Sequence, residues 1–168
     1  MPQLSSASSA RFFQIGYVTL DLDSAIDELG GREAFYVIDV DQALGDPSLP
    51  VKRIALSYLG ELNIELIEIR PEVRSIFDGL DLSNRRLKAH HLGYLIEDAG
   101  QWELLVAEAH AAHAVAMEGG FGDLLSYFYV ESRAETGQFT EYVHLGDGGR
   151  ALFAEVPRVR LSPAGTKG

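Results

Sequence analysis

The chain has 168 residues, is 46% hydrophobic and carries a formal net charge of −11. Its length suits one compact unit, or two small modules sharing a core, and its apolar fraction argues against disorder. The charge disfavours nucleic acid and anionic membranes, and the lack of cysteine excludes disulfides, zinc–thiolate sites and cysteine nucleophiles.

No run approaches the roughly 20 apolar residues that a membrane span requires. The first residues lack the apolar stretch of a secretory signal, so a cytoplasmic protein is expected. Residues 1–10 are small and polar and are expected to form a flexible tail. Residues 12–19 read as a strand. Asp21 then caps a helix carrying Ala25, Ile26 and Leu29, which Gly30-Gly31 ends. Residues 34–40 read as a second strand and 41–50 as a loop with Gly45, Asp46 and Pro47 as turn residues. Residues 53–59 and 62–69 read as a hairpin. The charged stretch 70–88 is a connector with a short helix predicted over 73–77.

The same order then recurs. Residues 89–96 are strand-like, and Asp98 caps a helix with Trp102, Leu105, Val106 and Ala109 at helical spacing. A short strand is predicted over 114–117, before Gly119-Gly120, with further strands over 124–130 and 139–145. Residues 148–156 form a closing helix that Pro157 stops. The resulting division is a tail at 1–10, a module at 11–72, a linker at 73–87, a second module at 88–157 with its C-terminal helix, and a tail at 158–168.

The internal repeat carries the chemistry. Gln14-Ile15-Gly16-Tyr17 matches His91-Leu92-Gly93-Tyr94 at an offset of 77 residues, and the capping residues Asp21 and Asp98 share that offset. Ile64-Glu65-Leu66-Ile67 matches Thr140-Glu141-Tyr142-Val143 at an offset of 76. Strand alternation puts Phe12, Gln14, Gly16 and Val18 on one face, and Ala89, His91, Gly93 and Leu95 on the equivalent face. In both strands a metal-capable side chain is followed two residues later by glycine, which leaves space beside it. Glu65 and Glu141 each stand among apolar neighbours, where a carboxylate is costly unless something charged meets it. One divalent cation would satisfy both.

The segments FFQIGYVTLDLDSAI, RIALSYLGELNIELIEI, HHLGYLIED and GQFTEYVHL resemble the vicinal oxygen chelate superfamily, the glyoxalase and bleomycin-resistance group, over residues 11–157. The resemblance implies an α+β fold of two tandem βαβββ modules forming an open, cup-shaped mixed sheet. It implies a divalent ion (Zn, Ni, Co or Mn) held by Gln14, Glu65, His91 and Glu141, a set similar to that of glyoxalase I. It further implies an isomerase, epimerase or lyase acting on a small oxygenated or thioester substrate, and a homodimer. Catalysis would use Glu141 as general base, with Glu65 as the second candidate.

Alternatives are a metal-free small-molecule-binding dimer and a ring-cleaving dioxygenase. The dioxygenase needs two histidines and one carboxylate on iron, and Gln14 stands where the second histidine belongs. Gln14 also reads as a hydrogen-bonded strand residue, and Glu65 and Glu141 as partners of Arg53 or Arg150. His90 is expected to point to the face opposite His91, and His144 to the face opposite Glu141. His110 and His113 read as a solvated helix face. Tyr127 and Tyr129 share a strand face that lines the pocket, the core or a dimer contact. The GDGGR segment at 146–150 lacks the lysine and spacing of a phosphate loop.

Overall fold

A computed structural model describes residues 4–83 and 86–159. The first half runs β1 (Arg11–Thr19), α1 (Leu22–Glu28), β2 (Tyr36–Asp39), α2 (Val40–Leu44), β3 (Val51–Leu59) and β4 (Leu62–Ile69). The second runs β5 (Lys88–Leu95), α3 (Ala99–Ala111), β6 (Val115–Gly120), β7 (Leu125–Val130), α4 (Arg133–Thr136) and β8 (Phe139–Leu145), followed by α5 (Asp147–Glu155) and β9 (Arg158–Val159).

All the strands join one mixed, curled sheet in the order β2-β3-β4-β1-β5-β8-β7-β6, with β9 added beside β3. The two halves are related by symmetry about the central pair. β1 lies antiparallel to β5, and each is parallel to the last strand of its own module, β1 to β4 and β5 to β8. This is an α+β fold of two βαβββ units meeting within one chain.

The repeat is visible in local chemistry. The Asp21 carboxylate accepts from the Ser24 N–H at the start of α1, and Asp98 accepts from the Gln101 N–H at the start of α3. Each cap satisfies a helix N–H that has no partner within the helix. Helix α1 buries Leu22, Ala25 and Ile26 against Phe35, Ala55 and Leu66. Helix α3 buries Leu105 and Ala109 against Ile96, Phe128, Val130 and Tyr142. Both helices cover the same side of the sheet. The other side carries a separate apolar cluster with Phe13, Leu56, Val143 and Phe153 of α5.

Several expectations are corrected. The supposed tail over 1–10 is structured from Leu4 onward. Residues Ser5–Ser9 form a 3-10 turn, and Leu4 is buried in the α3 cluster. The Glu108 carboxylate accepts from the Ser5 and Ser6 N–H groups at 2.7 and 2.8 Å, which anchors this segment to α3. The strand over 34–40 is shortened to β2, because Asp39 caps α2 through the Gln42 N–H, and α2 fills the start of the expected loop. No helix forms over 73–77. That stretch is a series of turns that bury Phe77 against Val18, Ile67 and Ile69. Gly119 and Gly120 belong to β6, and α4 was not anticipated. Of the C-terminal tail, Arg158 and Val159 pair with Tyr58 and Leu59; residues 160–168 lie outside the described residues, as do 1–3 and 84–85.

Candidate metal centre

The register of the central strands assembles the site. Across β1 and β5, Gln14 pairs with Gly93 and Gly16 pairs with His91. Across the parallel pairs, Gly16 also neighbours Glu65 of β4, and Gly93 neighbours Glu141 of β8. One row of the sheet therefore reads Glu65, Gly16, His91, and the adjacent row reads Gln14, Gly93, Glu141. The repeat puts each glycine in its own module, but its space serves the other module. A Cβ on Gly16 would lie 1.8 Å from His91 Cε1, and a Cβ on Gly93 would lie 2.7 Å from Gln14 Oε1.

Ligand atoms of Glu65, His91 and Glu141 lie within 4.8 Å of one another. His91 Nε2 is 3.1 Å from Glu65 Oε2 and 3.2 Å from Glu141 Oε2. These are ion-pair contacts when His91 is protonated, and Gln14 Oε1, Glu65 Oε2, His91 Nε2 and Glu141 Oε2 are buried without a hydrogen-bond partner. Buried polar atoms in folded proteins are nearly always paired. Four unpaired ones from four neighbouring strands, comprising three oxygens and one imidazole nitrogen, fit a divalent cation of borderline hardness.

Other residues fix the donors in place. Gln14 Nε2 donates to Asn63 Oδ1 at 2.9 Å, and Asn63 Nδ2 donates to the Ser57 carbonyl. Asn63 thereby holds the Gln14 amide by its nitrogen and leaves Oε1 free to face the site. This role was missed in the sequence, although Asn63 shares the Glu65 face there. Arg53 is engaged by Glu68 and Asp23, and Arg150 by Asp147, so neither neutralises Glu65 or Glu141.

The two strand bulges correct the expected faces. Phe12 pairs with Tyr94 and Gln14 with Gly93, leaving Phe13 as the extra residue; Gly16 pairs with His91 and Tyr17 with Ala89, leaving His90 as the extra residue. A bulge re-aims the side chain it carries. Phe13, in place of Phe12, lines the cleft beside Gln14. His90 does not turn to the opposite face. Its ring meets Tyr129 and Phe139, neighbours of Glu141, and its Nδ1 lies 3.1 Å from His91 Nδ1.

A cleft of about 430 Å³ opens on Gln14, Glu65 and Glu141, and both Tyr127 and Tyr129 line it. Burial, reinforced by Glu141 and Glu65, raises the Tyr127 pKa to about 12 and that of Tyr129 well above its ordinary value, so both phenols remain protonated near neutrality. The remaining histidines lie elsewhere. His110 pairs with Glu118 at 2.9 Å, His113 lies beyond the end of α3, and His144 Nδ1 meets the Ile96 carbonyl while its ring stacks on Trp102.

Electrostatics in the centre oppose one another. Burial alone would lower the His91 pKa, but Glu141 and then Glu65 override it and raise it to about 10. Burial raises the Glu65 pKa, with His91 opposing. For His90, burial and then the His91 charge lower the pKa to about 3.

Protein-family models and curated proteins give no match to this chain. Solved structures do. Methylmalonyl-CoA epimerase from Mycobacterium tuberculosis superposes with a TM-score of 0.57 at 14% identity, covering 83% of this chain and 91% of that one. A variant of the Streptomyces coelicolor methylmalonyl-CoA epimerase in complex with 2-nitronate-propionyl-CoA gives 0.55 at 18%, covering 83% and 97%. A hypothetical protein from Bacillus halodurans C-125 gives the same four values, 0.55, 18%, 83% and 97%. The chain thus has the vicinal oxygen chelate, glyoxalase-like fold.

Two outcomes follow from this geometry. Gly16→Ala is expected to displace the buried His91 ring, lowering the urea midpoint by an amount equivalent to about 1–3 kcal/mol and weakening divalent-ion binding in a titration. In the metal-free protein the His91 proton, held above its usual pKa of 6.5, contributes stability that is complete below that value and is lost as pH rises through about 10. Melting temperatures of metal-free protein should fall across that window, and His91→Gln should flatten the slope.

Proposed function

We propose that this protein is a divalent-metal-dependent isomerase of the epimerase or lyase type, moving a proton on the carbon next to a substrate carbonyl. Gln14, Glu65, His91 and Glu141 would hold Zn, Ni, Co or Mn. The observation that carries this reading is the cluster of Glu65, His91 and Glu141 ligand atoms, with the buried, unpaired Gln14 Oε1 lining the same cleft. The solved neighbours add support, since two of them are epimerases of a CoA thioester.

When bound, the cation supplies Lewis-acid polarisation of the carbonyl, which acidifies the adjoining C–H. The residues of the chain do the rest. Glu141, on β8, accepts the proton as general base. Glu65, on β4, reaches the site from the other side of the β1–β5 pair. Two carboxylates approaching from opposite sides suit epimerisation, in which a proton leaves one face of a carbon and another is returned to the opposite face. The Tyr129 phenol, kept protonated, is a hydrogen-bond donor beside Glu141. Apolar walls from Ile54, Leu56, Ile67 and Val143 exclude water from the reacting atoms.

The cleft also bears on the substrate. No Arg, Lys or His lines it among the described residues. A divalent ion with two carboxylates, neutral Gln14 and neutral His91 already sums to zero charge. A charged group on the substrate away from its metal-bound atoms would meet largely apolar walls, which is costly. The part of the substrate that lies in the cleft beyond its metal-bound atoms is therefore uncharged and apolar. In a thioester substrate the acyl group would occupy the cleft and the phosphate-bearing part would lie outside.

Two experiments test this reading. Metal-loaded protein should catalyse incorporation of solvent deuterium next to the carbonyl of apolar hemithioacetals or 2-substituted acyl thioesters, followed by NMR in heavy water. Glu141→Gln should slow that exchange by about 100-fold or more while its urea midpoint stays close to wild type; unchanged exchange would remove Glu141 from the mechanism. With Co²⁺ in the site, the visible spectrum can report binding of benzohydroxamate and of 4-carboxybenzohydroxamate. These share one chelating group, and the carboxylated compound should bind at least about tenfold more weakly, roughly 1.4 kcal/mol. Equal affinity would refute the uncharged-substrate assignment and leave the metal centre standing.

A further inference from the structure

We propose that His90 is a positioning residue for the metal centre. Its imidazole accepts a hydrogen bond from His91 and so fixes the tautomer that turns the His91 Nε2 lone pair toward the cation. This role rests on the metal reading above.

Three observations lead to it. Each module places a bulged residue directly before its first-strand ligand, Phe13 before Gln14 and His90 before His91. Phe13 and His90 occupy equivalent places in the repeat. The first half fills that place with a hydrocarbon ring, so packing alone asks for nothing polar there. The second half fills it with a buried imidazole, set between Phe77 at 4.7 Å and Phe139 at 5.1 Å between ring centroids. Its Nδ1 meets His91, while its Nε2 is buried with no hydrogen-bond partner; a buried imidazole of this kind is costly unless at least one nitrogen is used.

The third observation is the 3.1 Å separation of His90 Nδ1 and His91 Nδ1, both buried. A hydrogen bond between them requires that one nitrogen carry the proton and the other offer a lone pair. His91 Nε2 faces the two carboxylates. To bind a cation there, His91 must keep its proton on Nδ1, which makes it the donor. His90 Nδ1 is then the acceptor, and the His90 proton resides on Nε2.

Metal-bound histidines commonly donate their other N–H to a carboxylate, a backbone carbonyl or water. A carboxylate at the His90 position would put a third negative charge beside Glu65 and Glu141. A neutral imidazole supplies the lone pair without adding charge. The bulge makes this possible, since regular alternation would turn adjacent residues to opposite faces and keep the two rings apart.

The repeat supplies the test variant. His90→Phe copies the residue of the first half, keeps an aromatic ring between Phe77 and Phe139, and removes the acceptor. The variant is expected to keep the wild-type circular dichroism. Its affinity for Zn²⁺, measured by competition with a chromophoric chelator, should fall about 10- to 100-fold. His90→Gln, which returns an acceptor oxygen, should recover part of that loss. The ¹⁵N shifts of the zinc-loaded wild type should show His91 protonated at Nδ1, and this signature should be lost or mixed in His90→Phe. If the Phe variant misfolds, the Gln variant and the wild-type ¹⁵N shifts still decide. Wild-type zinc affinity in His90→Phe, or a His91 proton on Nε2 in the loaded wild type, overturns the positioning role alone. A wild type that binds no Zn²⁺, Ni²⁺, Co²⁺ or Mn²⁺ overturns the metal centre and this role together.

Discussion

The antiparallel pairing of β1 with β5 is the constraint on which the rest of the structure depends. It sets Gln14 opposite Gly93 and Gly16 opposite His91, so that each module opens a gap for the ligand of the other. Strand side chains alternate faces, so a slip of either strand by one residue would turn its ligand to the helix-covered side. The parallel neighbours β4 and β8 then bring Glu65 and Glu141 alongside the same two glycines. A Cβ at Gly16 would overlap the His91 ring itself, so the missing side chain is a geometric requirement of the site.

Around this pairing the protein sets charge against burial. Two carboxylates and an imidazole sit largely buried at the base of the cleft, with neighbouring arginines occupied by Glu68, Asp23 and Asp147. Without a cation, His91 holds a proton more tightly than usual because Glu141 and Glu65 demand it. In the proposed metal centre a cation would compete with that proton for the same nitrogen, so its binding would release a proton. Asn63 and His90 stand behind two of the donors, one holding an amide by its nitrogen and the other meeting an imidazole at Nδ1. Both donors are thereby oriented before any ligand arrives, which lowers the cost of assembling the site.

Much of the fold was legible in the chain because duplication repeats local signals. Asp21 and Asp98 cap equivalent helices, and the paired motifs at Gln14 and His91 mark equivalent strands. Less was legible where tertiary contacts override local preference. The segment from Ser5 to Ser9 looks like a solvated tail, yet Glu108, about a hundred residues away, anchors it through two backbone N–H groups. A short helix is expected over residues 73–77, but they follow turns that drive Phe77 into the core. Val40 reads as strand until Asp39 is seen capping α2.

The sequence by itself determined the duplicated βαβββ order, the two helix caps, and the identity of four metal-capable side chains at equivalent places, because these follow from spacing and residue chemistry along the chain. Tertiary structure alone decided which side chains meet. Bulges at Phe13 and His90 arise from pairing between strands distant in sequence, and a bulge changes the face of a residue without leaving a mark in its own strand. The same is true of the cross-module fit of glycine to ligand, since register belongs to two strands jointly and neither strand encodes it alone.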